Sequence, residues 1–93
     1  HLIAEAPGAP FNLAGQAGQE RDITWALKGE RPVYFREPEP GYRACPVYDR
    51  YAFRPGMITA GPCIIEEKES TIVVPPDCHV RVDRYLNVVI GLK

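Results

Sequence analysis

Ten prolines and eight glycines are spread through these 93 residues, so no apolar stretch runs far before it meets a residue that ends it. Proline inside a helix removes a backbone donor and clashes with the preceding turn, and glycine weakens a helix by its backbone freedom, so long helices are excluded. From Asp22 onward the chain consists of short apolar or alternating runs separated by Pro and Gly, which is the texture of β-strands with proline at their ends. The strands expected on this basis are Ile23–Leu27, Pro32–Arg36, Ala44–Tyr48, Ala60–Glu66, Thr71–Val74, His79–Asp83 and Asn87–Gly91. Such a set predicts an all-β fold: a small antiparallel barrel or sandwich of about six or seven short strands.

The connections carry their own mechanisms. Glu66-Glu67-Lys68-Glu69-Ser70 is a charged stretch between Ile64-Ile65 and Ile72-Val73-Val74, as a hairpin loop requires. Pro75-Pro76-Asp77 fixes two φ angles and then supplies a residue tolerant of the left-handed region, so the chain turns there. Arg84-Tyr85-Leu86-Asn87 joins two alternating segments, with Asn87 the expected site of positive φ. Asp49 is expected to cap a single helical turn by accepting the amide hydrogen of Tyr51 or Ala52, before Pro55-Gly56 stops it and Phe53 points into the core. In Val80-Arg81-Val82-Asp83 the valines share one face, whereas Ile72-Val73-Val74 and Val88-Val89-Ile90 are expected to be covered on both. Residues 1–20, rich in Ala, Gly and Pro, have no sustained period and are expected to form a disordered linker before a β domain over 21–93, with Phe11 or Leu13 as local docking points.

Composition narrows the function classes. Hydrophobic residues at 45% and charged residues at 25% are ordinary for a globular domain. Eleven basic and twelve acidic side chains give a net charge near −1, which removes any bulk attraction to nucleic acid or anionic lipid. The sequence has no apolar run near the roughly 20 residues that cross a bilayer, so a cytoplasmic protein without a membrane partner is expected. The sparse, odd set Cys45, Cys63 and Cys78 points the same way, to a reducing compartment. A domain of this size buries only about 60 to 65% of its unfolded surface, so it is expected to lean on something larger; a first residue His1 fits a segment of a longer polypeptide.

The order RPVYF, CPVYDR, PGMITAGPCIIEEKESTIVVPPD, VRVDRYLNVVI between Arg31 and Ile90 resembles the C-terminal region of the large subunit in the hydantoinase A, 5-oxoprolinase and acetone or acetophenone carboxylase superfamily. The resemblance covers about two thirds of the chain, and its specificity lies in the order of the pieces. Three positions depart from it: Asp77 stands where glycine is usual, Leu86 precedes Asn87 where Gly-Asn is typical, and Phe53 occupies a position commonly leucine. The resemblance implies a parent enzyme of hydrolase type that uses ATP and a divalent metal to phosphorylate the carbonyl of a lactam, cyclic amide or ketone. It implies no catalytic, cofactor-binding or metal-binding residue in this chain, whose role would be structural. Partners would be the remaining domains of the parent subunit and a second subunit.

Cys78-His79 with Cys63 and Cys45 lacks the paired Cys-x-x-Cys spacing of structural zinc, and neighbours on a strand point to opposite faces. The same splay separates Cys78 from His79 as a nucleophile and base. Glu66, Glu67 and Glu69 around Lys68 read as a solvated hairpin tip rather than an acid/base pair. Lys68 lacks the neighbours of a biotinyl or lipoyl lysine. Tyr48, Asp49, Arg50, Glu66 and Glu67 are the interface candidates, with Arg50 expected to reach a carboxylate or carbonyl across the sheet. The alternative is an independent β module that binds a small molecule or saccharide on a tyrosine-bearing face.

Overall fold

A computed structural model of the chain describes residues 2–4 and 22–93, and its radius of gyration is 12.8 Å, close to the roughly 12 Å of a compact chain this long. Among the described residues there are eight strands: β1 (Leu2–Ala4), β2 (Leu27–Phe35), β3 (Gly41–Asp49), β4 (Ile58–Ala60), β5 (Cys63–Glu66), β6 (Thr71–Val74), β7 (Cys78–Val82) and β8 (Val88–Leu92). They form two open four-stranded sheets, one in the order β1-β8-β7-β4 and the other β2-β3-β5-β6. The fold is therefore all-β and a sandwich, as the punctuation of the sequence requires.

Between the sheets lies the core. Cys63, Ile65 and Val74 of the second sheet meet Val80, Val82 and Val88 of the first, and Tyr48, Phe53 and Met57 close the sides. Every one of these is less than a tenth exposed, and each fully buried aliphatic or aromatic side chain contributes about 1.5–3 kcal/mol. A smaller apolar cluster of Cys45, Val47 and Ile64, with Val33 and Phe35 against it, occupies the other face of the second sheet.

Four expectations are corrected. Ile23–Leu27 is not a strand: Asp22 Oδ1 accepts from Thr24 N at 3.0 Å and from Thr24 Oγ1 at 2.7 Å, nucleating a 3-10 turn over Ile23–Ala26. Ala60–Glu66 is not one strand either. It breaks at Gly61-Pro62, so that β4 joins one sheet and β5 the other, because Pro62 has no N–H for a ladder and the amide of Gly61 donates to the Cys78 carbonyl at 2.8 Å. Pairing is not wholly antiparallel, since β1 runs parallel to β8 and β3 parallel to β5. A parallel pair needs a crossover, which the chain between β3 and β5 supplies by visiting the other sheet as β4. Finally, β6 is an edge strand with Val73 exposed, whereas β8 is central and buries Val88 and Val89 as expected.

Other expectations hold. The β5–β6 hairpin is closed by Glu67 N donating to Ser70 O at 2.9 Å, and Cys78 N donates to Pro75 O at 3.2 Å across the Pro-Pro-Asp turn. Leu2–Ala4, inside the segment expected to be a linker, is a strand; the rest of that segment, with Phe11 and Leu13, lies outside the described residues.

Candidate functional site

Three connections meet at one end of the second sheet. The first follows β3, where Asp49 Oδ1 accepts the Tyr51 amide at 2.9 Å and sets a 3-10 turn over Arg50–Ala52, with Phe53 driven into the core. This is the capped turn foreseen from the sequence. Next comes the β5–β6 loop, tied to the first by Lys68 N donating to the Tyr51 hydroxyl at 3.0 Å. The third is the β7–β8 turn, reached by Arg50 Nη2, which donates to the Leu86 carbonyl at 2.6 Å. Arg50 Nε also stands 3.7 Å from Glu67 Oε1, and its guanidinium lies 5.9 Å from the Phe53 ring centroid. One arginine thus braces all three loops, using several donors of its planar fork at once.

Beside this brace, Glu66 closes β5 opposite Asp49 of β3. Its two oxygens are divided between Lys28 Nζ at 2.9 Å and Arg31 Nη2 at 2.6 Å, both from β2. These partners, Lys28 foremost, hold the Glu66 carboxyl below the usual carboxylate range, and Glu66 in turn raises Lys28. Glu66 is accordingly a strand residue fixed by two cations, not part of a freely solvated tip. An open depression of about 960 Å³ lies here, lined by Lys28, Asp49, Tyr51 and the Glu66–Thr71 loop. Asp49, Arg50, Glu66 and Glu67 are brought together as one surface. Tyr48 is not on it, because its ring alternates inward and is buried between the sheets.

The β7–β8 turn held a residue that sequence reasoning missed. Asp83 Oδ1 accepts from Tyr85 N at 2.8 Å and Asn87 N at 2.9 Å, while Oδ2 accepts from Asn87 Nδ2 at 3.0 Å. Burial pushes against ionisation, but the bonds from Asn87 and Tyr85 prevail and keep the Asp83 carboxyl below its ordinary range. An aspartate four residues before an asparagine was the available signal. Positive φ falls on Leu86, at 66°, and not on Asn87, whose amide and side chain are both committed to Asp83.

Cys78 packs toward the inter-sheet core, while His79, fully buried, takes the opposite face of β7. Burial, with the Asp77 carboxylate beside it, raises the Cys78 thiol, and burial pushes Cys63 up to about 12. Both therefore stay protonated and poorly nucleophilic near neutral pH. Among the described residues no three His, Cys, Asp or Glu side chains come together in a group that could hold a metal ion. On the β2–β3 hairpin, Tyr34 and Tyr42 meet edge to face, with centroids 5.4 Å apart and planes at 70°, which is not a flat stacking platform.

The hydantoinase/oxoprolinase C-terminal domain family matches residues 11–89. The chain belongs to that family. The match starts at Phe11, within the segment expected to be a linker. An uncharacterized protein of Methanocaldococcus jannaschii is 44% identical over 55 residues, and the caprolactamase subunit alpha of Pseudomonas jessenii is 38% identical over 55 residues; each alignment takes in 59% of this chain and 8% of the relative. Among solved structures, nucleotide-free acetone carboxylase, which carries out ATP-dependent acetone carboxylation, superposes with a TM-score of 0.58 at 26% identity over 85% of this chain and 10% of that one. The chain therefore spans a tenth or less of the relatives it matches. No described helix is long and apolar enough to cross a membrane.

Proposed function

We propose that this domain has no reaction of its own and serves as the structural, docking C-terminal part of a cytoplasmic ATP-dependent enzyme of hydantoinase or oxoprolinase type. One observation carries this reading: at the braced end of the sandwich the best-placed carboxylate and arginine are already engaged by neighbours within the domain. Glu66 is shared by Lys28 and Arg31, and Arg50 is held by Leu86 and Glu67. A carboxylate fixed between two cations makes a poor general base, since its proton affinity is depressed. The same end exposes the aromatic rings of Tyr51 and Tyr85 beside the polar loop Glu67–Thr71, a mixture that suits contact with another protein surface.

The parent would activate a lactam, cyclic amide or ketone carbonyl by phosphorylation, with ATP and a divalent metal bound outside these residues. The named relatives, a caprolactamase subunit and an acetone carboxylase, support that class of substrate. The segment before Asp22 would lead from the body of the parent into the sandwich, and a second subunit would be a further partner. A saccharide module is the weaker reading, because the paired tyrosines of β2 and β3 present an edge where a sugar face needs a flat ring.

Two measurements test the proposal together. Titration calorimetry of the chain with magnesium and ATP is expected to show no heat of binding. Deleting residues 22–93 from the full-length polypeptide is expected to abolish its stable assembly while leaving its nucleotide-binding residues intact in sequence. Specific nucleotide binding by the chain alone would defeat the proposal.

A further inference from the structure

We propose that the β7–β8 turn, through Tyr85 and Leu86, is the contact by which this domain seats on the body of its parent subunit. The inference rests on the docking role given above and names its surface. Leu86 has φ of 66°, in the left-handed region where a Cβ crowds the following carbonyl and which glycine, asparagine and aspartate visit far more readily. Burial within the domain does not account for it, since Leu86 is 42% exposed. A large apolar side chain held in a disfavoured conformation and only partly covered is a strained residue outside the core, and strain of that kind collects where a surface is used.

The turn is also rigid. Asp83 gathers three hydrogen bonds from Tyr85 and Asn87, Leu86 N donates to Asp83 O at 3.1 Å, and Arg50 clamps the Leu86 carbonyl. The loop is therefore ordered on folding, and little conformational freedom remains to be lost on contact. Tyr85 is 70% exposed with the Arg84 guanidinium 5.0 Å above its ring, and Tyr51, tied into the same brace, is 65% exposed. Tyrosine and arginine are, with tryptophan, the side chains enriched at the energetic centres of interfaces.

The occupant is the body of the same polypeptide. This chain accounts for 8% of each sequence relative and 10% of the acetone carboxylase chain, so some nine tenths of such a molecule lies outside the sandwich. A tethered partner meets the domain at an effective concentration in the millimolar range, and a small rigid contact then suffices for stable seating.

Site-resolved alkylation of the full-length subunit tests this. Tyr85→Cys and, as a second probe of the same turn, Arg84→Cys are compared with Tyr42→Cys on the β2–β3 hairpin, where Tyr42 is 75% exposed. For each probe the native rate is divided by the rate in denaturant, and Cys63 of the core must stay unreactive as the check on folding. Protection of at least tenfold at 84 and 85, with less than threefold at 42, in a monodisperse single subunit is the expected result. Protection at 42 alone overturns the choice of surface while leaving the docking role standing. Protection at none of the three overturns the docking role as well. Protection at 85 that disappears on dilution to the monomer assigns the turn to a second copy and overturns the proposal.

Discussion

Gly61 sits where β4 leaves one sheet and β5 enters the other, and its hydrogen atoms face backbone. A Cβ at this position would fall far inside contact distance of the Pro75 carbonyl oxygen, with the Pro75 carbonyl carbon at 3.1 Å and the Cys78 oxygen at 3.2 Å. None of these atoms belongs to a flexible side chain. In Gly61→Ala the crossover or the Pro75-Pro76 turn must therefore shift by something on the order of an ångström, which strains the Gly61 N to Cys78 O bond at 2.8 Å and the Lys93 Nζ contact to the Gly61 carbonyl at 3.2 Å. Overpacking costs about 1–3 kcal/mol and a weakened hydrogen bond about 1 kcal/mol, less about 0.5–1 kcal/mol returned by stiffening the unfolded chain. The sum is about 2–3 kcal/mol, or a fall in Tm of roughly 10–20 °C for a domain of this size. Gly29→Ala is the matched control, because a Cβ there meets nothing within 4 Å. Thermal unfolding followed by circular dichroism should separate the two variants widely. Equal melting temperatures for Gly61→Ala and Gly29→Ala would refute the steric reasoning.

Other expectations are independent of that one. At Leu86 the order of stability should be Gly at or above Leu, and Val lower by about 1 kcal/mol, because a β-branched residue fits the left-handed region worst; denaturant melts that rank Val with Leu would remove the strain. Glu66, held below its usual range, supplies stability that is fully present above the unfolded value near pH 4.3 and is lost as pH falls through its lower native value. Lys28, raised by the same pairing, supplies stability lost only as pH climbs through its native value above the ordinary lysine range. Glu66→Gln should therefore melt earlier than the parent at pH 7, with the gap closing below about pH 4; a gap that persists in acid would contradict the pairing. Under native conditions at pH 8, alkylation read by mass spectrometry should modify Cys78 slowly and spare the buried Cys45 and Cys63. Rapid labelling of Cys63 would mean that the inter-sheet core opens.

The sequence disclosed features whose cause is local. Asp49 two residues before Tyr51, the Glu66–Ser70 hairpin and the inward valines of β7 each follow from a few neighbouring side chains, and each was readable. In Ile23–Leu27, five residues are too few to separate a strand from a 3-10 turn by periodicity, and Asp22, the capping residue that decides it, precedes the run. Trp25, read as a strand residue, is left on the surface as a result. The double pairing of Glu66 was beyond reach for a different reason. Lys28 and Arg31 lie 38 and 35 positions away, and they meet Glu66 only once β2, β3 and β5 stand side by side in that order. Leu86 is the converse case: the turn was legible, but the hydrogen-bonding capacity of Asn87 fixed it to Asp83 and passed the unusual angle to its neighbour.

The path of the chain between the layers has a mechanical corollary. β3, β4 and β5 alternate between sheets, and β6 and β7 do so again, so the polypeptide laces the two halves of the sandwich together like a bootlace through eyelets. Separating the two sheets would therefore stretch every one of these crossings at once. A force that pulled the sheets apart would thus be shared among the crossings instead of falling on one hairpin.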